Sequence, residues 1–266
     1  MSNLTSVFVA LKNTSQKAFI AYITAGDPDR GATLKLAKTL VKSGVDVLEL
    51  GVPFSEPVAD GPVNQRANER ALKQNVSLRD VLTIVRTLRD EGMTTPIVLF
   101  TYINPVFRIG YGKFAEEAAA AGVDGVLAVD LPPEEAAEYA RALRARKVDT
   151  IFLVSPTTGR TRAKQVNELS SGFVYYVSRT GVTGTREELA PSLAQDVRGV
   201  RDMISLPIAI GFGISTPAQA KEVARLGDGV VVGSALVRLV EEHAGKQELY
   251  QQVESFARSL NQAIKR

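Results

Sequence analysis

The sequence contains no cysteine and a single histidine, His243. Disulfides, thiolate metal sites and thiol nucleophiles are therefore excluded, and so is a metal site built from several histidines. A Ser-His catalytic pair would have to use His243, which follows Val240-Glu241-Glu242 in a late helical stretch and reads as a surface residue. No uninterrupted apolar run reaches the roughly 18 residues that suggest a membrane span. The opening stretch, MSNLTSVFVALKNTSQKAF, lacks the apolar core and cleavage pattern of a signal peptide, so a cytoplasmic chain is expected. Blocks of one charge sign are also missing. The 32 Lys and Arg and 29 Asp and Glu are interspersed, and no basic cluster with interleaved aromatics points to nucleic acid. What remains fits a soluble globular chain: 45% hydrophobic and 23% charged over 266 residues, long enough for a sizeable core.

One rhythm dominates the sequence. Short apolar, β-branched runs alternate with amphipathic stretches, separated by turn residues. The strand-like runs start at Phe19 (FIAYITAG), Val45 (VDVLELGVPF), Pro96 (PIVLFTYINP), Asp124 (DGVLAVDLP), Asp149 (DTIFLVSP), Gly172 (GFVYYVSR), Leu206 (LPIAIGFGIS) and Asp228 (DGVVVGSAL). Helical patterns such as ATLKLAKTLVKSG and SLRDVLTIVRTLRDEG lie between them. Runs this apolar on both faces suit a parallel sheet covered by helices. Eight such units predict an α/β chain folded as a single (β/α)8 TIM barrel over residues 1–266, with an extra N-terminal segment. An open doubly wound sheet would carry a glycine-rich fingerprint after its first strand, and AYITAGDPDRG matches it poorly. Two connections are longer than a barrel needs, Glu56 to Val76 after strand 2 and Thr180 to Arg186 after strand 6. Both follow strand C-termini, the end at which barrel active sites lie.

Glu49 interrupts the apolar strand Val47-Leu48-Glu49-Leu50. If it points into the barrel, desolvation raises its pKa and makes it an acid/base at neutral pH. A salt-bridged carboxylate at the strand end is the bland alternative. Asp60, in PVADGP after the same strand, reads alone as a turn former. Paired with Glu49 it becomes a second carboxylate, and two carboxylates in different surroundings can divide proton-transfer duties. Asp130 ends strand 4 and suits a helix cap at least as well as a site. Of Tyr175 and Tyr176, one should face inward and the other outward. Gly211-Phe212-Gly213 closes strand 7 and Gly233-Ser234 closes strand 8. In barrels the loops after these strands commonly hold a phosphate, although tight packing also calls for glycine. No strand run carries a lysine, which argues against a Schiff-base aldolase. Carboxylate chemistry on a phosphorylated substrate remains.

LELGVPFSEPVADGP, TYINP, DGVLAVDLPPEE, SPTTGR, GFVYYVSRTGVTGTR, IGFGIS and DGVVVGSA follow one another in an order that resembles the tryptophan synthase α-subunit family. The similarity runs from about Lys17 to Val240. It implies cleavage of indole-3-glycerol phosphate to indole and glyceraldehyde 3-phosphate, without metal or cofactor in this chain. A β partner using pyridoxal phosphate, in an α2β2 heterotetramer, would turn the indole into L-tryptophan. The resemblance makes Glu49 the general acid/base, Asp60 the group facing the indole nitrogen, and Tyr175 their neighbour. Gly184, Gly211, Phe212, Gly213, Gly233 and Ser234 match the family's phosphate cradle, and Thr183 its mobile loop. Tyr22, Phe100, Leu127, Val129 and Leu153 match its indole pocket, with Tyr102 nearby.

Some positions depart from the family's usual residues. Glu56 stands in Ser55-Glu56-Pro57 where aspartate is common, Asn64 where isoleucine is usual, Ser155 where alanine is frequent, and Tyr22 where phenylalanine is. Glu56 and Asn64 belong to the strand-2 loop that faces the β subunit in the family, so coupling between subunits is where these changes act. A stand-alone lyase releasing free indole shares the same catalytic set. A mainly regulatory subunit would be expected to have lost Glu49 or Asp60, and both are present.

Overall fold

In the computed structural model, residues 2–177, 192–211 and 213–265 are described. Nine parallel strands form one sheet: β1 (Ala18–Thr24), β2 (Val47–Gly51), β3 (Ile97–Thr101), β4 (Gly125–Ala128), β5 (Asp149–Ile151), β6 (Leu153–Val154), β7 (Val174–Val177), β8 (Ile208–Gly211) and β9 (Gly229–Val232). Their hydrogen-bonded order is β5-β4-β3-β2-β1-β9-β8-β7-β6. The two edge segments, β5 and β6, flank Phe152 and are halves of one stave. β5 pairs with β4 and β6 with β7, while the Phe152 carbonyl accepts from Tyr175 N at 3.0 Å. Inward and outward side chains alternate without interruption through the break, Ile151 and Leu153 facing one way, Phe152 and Val154 the other. Nine segments with two of them sharing one stave make the expected eight. The TIM barrel is therefore present, and its two edges meet along this broken stave.

The pleat sorts the apolar runs into two cores. Ile20, Val47, Val98, Leu127, Ile151 and Ala209 fill the barrel interior. Their sequence neighbours, among them Leu48, Leu99, Val126 and Ile210, pack outward against the helices. This two-sided burial explains why the strands read as continuous apolar runs.

The extra N-terminal segment is the helix Asn3–Asn13, started by the Ser2 side chain, which accepts from Thr5 N at 3.2 Å. It closes the N-terminal end of the barrel. Leu4 and Phe8 enter the interior core, and the Phe8 and Phe173 rings lie 5.5 Å apart. Asn3 Nδ2 donates to Asp124 Oδ1 at 2.7 Å, while Asp124 Oδ2 also accepts from Arg89 and from Ile97 N. At the other end, much of the Glu56-to-Val76 connection is helix, Pro62–Lys73, so only residues 52–61 form an open loop there. The Thr180-to-Arg186 connection lies outside the described residues.

Leu4 is fully buried and Val9, on the same helix, is 42% exposed. Leu4→Ala should lower the unfolding free energy by about 2–5 kcal/mol, as for other buried leucines. Val9→Ala should stay within about 0.5 kcal/mol. Urea unfolding of the two variants separates a plug that closes the core from a helix that merely lies on it.

Candidate active site

β2 presents Val47, Glu49 and Gly51 to the interior and Leu48 and Leu50 to the helices. Glu49 pairs in register with Tyr22 on β1 and Val98 on β3. Its side chain is fully buried, and neither carboxylate oxygen has a hydrogen-bond partner among the described residues. The salt bridge that would have made it structural is absent among them. Burial alone pushes its carboxyl up to about 8. At neutral pH Glu49 therefore keeps a proton that no described protein group receives.

Asp60 hangs in the loop between β2 and the helix Pro62–Lys73, and it is 6% exposed. Burial raises its pKa, opposed by two donors. Tyr102 Oη donates to Oδ2 at 3.0 Å, and Asn64 Nδ2 to Oδ1 at 3.4 Å. The same Tyr102 oxygen accepts from Ala59 N at 3.0 Å, and its ring stacks on Phe54 at 4.7 Å. Gln65 Nε2 binds the Asp60 carbonyl at 2.8 Å. The loop is thus pinned on both sides of the carboxylate.

Tyr22, Phe100, Leu127, Val129, Leu153 and Tyr175 all share the inward parity. Tyr22 meets Phe100 edge-on at 5.2 Å. Burial and the nearby Asp60 and Glu49 carboxylates hold the Tyr22 phenol well above 10. Burial, then Glu49, Tyr22 and Asp60, do the same for Tyr175. Both carboxylates and both phenols are thus close enough in the barrel interior to influence one another, with Tyr22 and Glu49 paired in register. Tyr176 faces outward into the helix layer, as alternation requires.

Gly211 and Gly233 turn out to have a packing role. A Cβ on Gly211 would fall on the Tyr175 phenol, and one on Gly233 would stand 3.3 Å from Tyr22 Cδ1. Gly213 has φ +61°, a conformation that favours glycine. Gly233 also precedes the helix Ser234–His243, whose N-terminus has no side-chain cap. Its first-turn N–H groups lack intrahelical acceptors and lie at the strand C-termini, an arrangement that suits an anion. Gly184, Thr183 and Phe212 lie outside the described residues.

Asp130 is not in the site. It is exposed, and Oδ1 accepts from Ile103 N at 2.7 Å, capping the short helix Ile103–Ile109. Glu56 is exposed on the outer side of the Asp60 loop. His243 is half-buried at a helix end, 3.8 Å from Glu248. No group of three or more His, Cys, Asp or Glu among the described residues is arranged to hold a metal.

Three contributors escape sequence reading: Phe54, Asn64 as a donor to Asp60, and Gly51, whose missing Cβ leaves room for the Tyr22 phenol. The four-residue spacing of Asp60 and Asn64 at a helix start was the available signal for one of them.

A family model described as tryptophan synthase alpha chain matches residues 8–265. The chain belongs to the tryptophan synthase alpha chain family. The Pelobacter propionicus tryptophan synthase alpha chain is 49% identical over 264 residues, covering 99% of this chain and 98% of the relative. That of Geotalea uraniireducens is 48% identical over 265 residues, covering 100% and 98%. The crystal structure of tryptophan synthase subunit alpha from Legionella pneumophila superposes with a TM-score of 0.93 at 41% identity, covering 99% of this chain and 98% of that one. A Mycobacterium tuberculosis tryptophan synthase structure gives 0.91 at 36% identity, covering 100% and 99%. This tryptophan synthase alpha chain family member is accordingly a carbon–carbon lyase of tryptophan biosynthesis.

The Glu49 carboxyl ties stability to pH. An unfolded glutamate ionises near 4.5 and this one near 8, so between those values the folded chain holds a proton that the unfolded chain has released. Rising pH then favours unfolding, and the loss ends above the folded value. Glu49→Gln removes this term. Relative to the parent, its urea stability should be steady below about pH 4.5 and climb by a few kcal/mol toward pH 8. A difference that stays flat across that window would show that Glu49 ionises normally.

Proposed function

We propose that this chain cleaves indole-3-glycerol phosphate to indole and glyceraldehyde 3-phosphate, with Glu49 as acid and base and Asp60 facing the indole nitrogen. The observation that carries this assignment is the fully buried Glu49 carboxyl, with no hydrogen-bond partner among the described residues, inside an apolar barrel. Glu49 gives its proton to indole C3, which leaves an iminium centred on N1. Asp60, held by Tyr102 and Asn64, accepts the N1–H hydrogen bond and stabilises that charge. The Glu49 carboxylate then takes the proton from the hydroxyl on the side-chain carbon bonded to C3. The C–O bond becomes a carbonyl, the C3–carbon bond breaks, and its electron pair restores the aromatic ring. Glu49 ends protonated as it began, so the step needs no external acid or base.

The indole lies among Tyr22, Phe100, Leu127, Val129 and Leu153, with Tyr175 beside the reacting carbon. The phosphate occupies the N-terminus of the helix Ser234–His243 and the turns at Gly211, Gly213 and Gly233; Gly184, Phe212 and Thr183, which the family resemblance adds to this set, lie outside the described residues. The aldehyde and indole leave without a cofactor in this chain. A cytoplasmic α2β2 complex, with pyridoxal phosphate in the β subunit, consumes the indole. The outer side of the Asp60 loop suits that partner: Val58 is 83% exposed and Phe107, on the adjacent helix, 68%. The relatives favour neither a stand-alone lyase nor a regulatory subunit.

Glu49→Gln keeps the side-chain shape and removes the transferable proton. Indole release, with a β subunit present, should fall at least about 10²–10⁴-fold while a phosphorylated indole analogue still binds. Near-normal turnover would overturn the assignment. Glu56→Asp should alter activation by a related β subunit more than the rate of the isolated chain. Equal effects on both rates would place Glu56 in the chemistry or the fold instead of the partner surface.

A further inference from the structure

Asp27, Arg70, Glu241 and Arg66 form a continuous ionic network beside the site. Arg70 Nε and Nη2 donate to the two Asp27 oxygens at 2.7 and 2.8 Å, and Arg70 Nη1 donates to Glu241 Oε1 at 2.7 Å. Arg66 Nε and Nη2 grip the two oxygens of Glu241 at 2.7 and 2.8 Å. The Asp27 side chain is 2% exposed and that of Arg70 25%. Two arginines and two carboxylates balance in charge, so the network adds little net field to the anion site nearby.

Three elements meet in it. Asp27 belongs to the loop after β1, where Gly26 N donates to Thr33 Oγ1 at 2.8 Å. Gly26 has φ +87° and no room for a Cβ against Val76. Arg66 and Arg70 lie on the helix Pro62–Lys73, which begins two residues after Asp60. Glu241 lies on the helix Ser234–His243, which begins at the anion site. Nearer the mouth the same two helices touch through Val63, Ala67 and Val237, packed over Tyr22. The pair is therefore fastened twice, by apolar contact through Val63, Ala67 and Val237 and by ions at Arg66, Arg70 and Glu241 set about one turn further along. Two separated attachments fix an angle as well as a distance. Bidentate guanidinium–carboxylate pairs resist rotation in a way that a lysine cannot.

We infer that Arg70, with Asp27 and Glu241, is a positioning group that sets the span between the Asp60 carboxylate and the phosphate-binding helix N-terminus. This rests on the proposed reaction, because that span is the one which a substrate with indole at one end and phosphate at the other must match. A mismatch on the order of 1 Å can reduce rate about 100-fold. The strut touches no substrate atom and acts only through the two helices.

The test compares ligands that fill one half of the site with a ligand that fills both. Indole and glycerol 3-phosphate are the halves. Indolepropanol phosphate, which lacks the side-chain hydroxyls and cannot be cleaved, spans them. Calorimetry on the full chain with Arg70→Lys should show about 10-fold weaker binding of the spanning ligand, with each half bound within about 2-fold of the parent. Glu241→Gln, which leaves the Arg70–Asp27 pair in place, should show the same pattern to a smaller degree and serves if Arg70→Lys fails to fold. Equal losses for the halves and the spanning ligand, or no loss for any, would overturn the inference. If the parent itself binds neither glycerol 3-phosphate nor the spanning ligand, the proposed reaction fails first, a result distinct from either.

Discussion

An ionised carboxylate inside an apolar cavity is expensive because nothing replaces its water, and Glu49 places a carboxyl where that cost is greatest. The rest of the barrel maintains the condition. Val47 and Val98 sit on its own and the adjoining strand, Leu127 lies across the interior, and Leu4 and Phe8 shut the N-terminal end against solvent. Were the N-terminal helix displaced, water would reach the interior from below and the carboxyl would return toward its ordinary value. The N-terminal helix is thereby part of what keeps the Glu49 carboxyl dry. The Tyr22 and Tyr175 phenols feel the same burial, which moves them away from neutrality while it moves Glu49 toward it. One physical effect thus leaves the phenols as neutral hydrogen-bond donors and Glu49 as a group able to exchange a proton.

The second carboxylate differs because its surroundings do. Asp60 is nearly as buried, yet Tyr102 and Asn64 donate to it and offset part of the desolvation. A carboxyl without donors suits giving a proton, whereas one with donors suits holding a negative charge against a cation. Environment, more than residue type, separates the two roles. Asn64 is notable here, since an isoleucine in its place would supply no donor and leave Tyr102 as the side-chain donor to Asp60 among the described residues.

The parts legible in the sequence are those set by local pattern. Two-sided apolar runs revealed the strands, their period of two assigned Tyr175 and Tyr176 to opposite faces, and a charge inside Val47–Leu50 singled out Glu49. What escaped depends on contacts between distant segments. Nothing in DTIFLVSP marks the change of partner at Phe152, because its alternation continues unbroken while the ladder passes from β4 to β7. Asp130 was read correctly as open to a capping role, but the helix it caps starts at Ile103, 27 residues earlier. Gly211 and Gly233 suggested an anion, and the rings that also require them come from Tyr175 and Tyr22 on neighbouring strands. In the sequence Arg70 is one more charge on a polar helix. Only the fold brings Asp27 and Glu241 to it.

The Asp60 loop is where these constraints meet. On its inner side it is tied by Tyr102, Asn64 and Gln65 and stacked through Phe54, so the carboxylate has little freedom of its own. On its outer side Ala59 is exposed, and Ser55, Glu56 and Val58 are exposed around a hollow of about 230 Å³ lined in part by Gln65 and Leu72. A loop held within and open without transmits displacement: pressure on Val58 or Glu56 is passed to Asp60 through a few covalent bonds and the shared Tyr102 oxygen. Tyr102 receives Ala59 N and donates to Asp60 from one atom, so moving the backbone and moving the carboxylate are the same motion. On the proposed reading, control of the chemistry from the outer face needs no long relay, because Asp60 and the exposed Glu56 and Val58 lie on the same ten residues, 52–61.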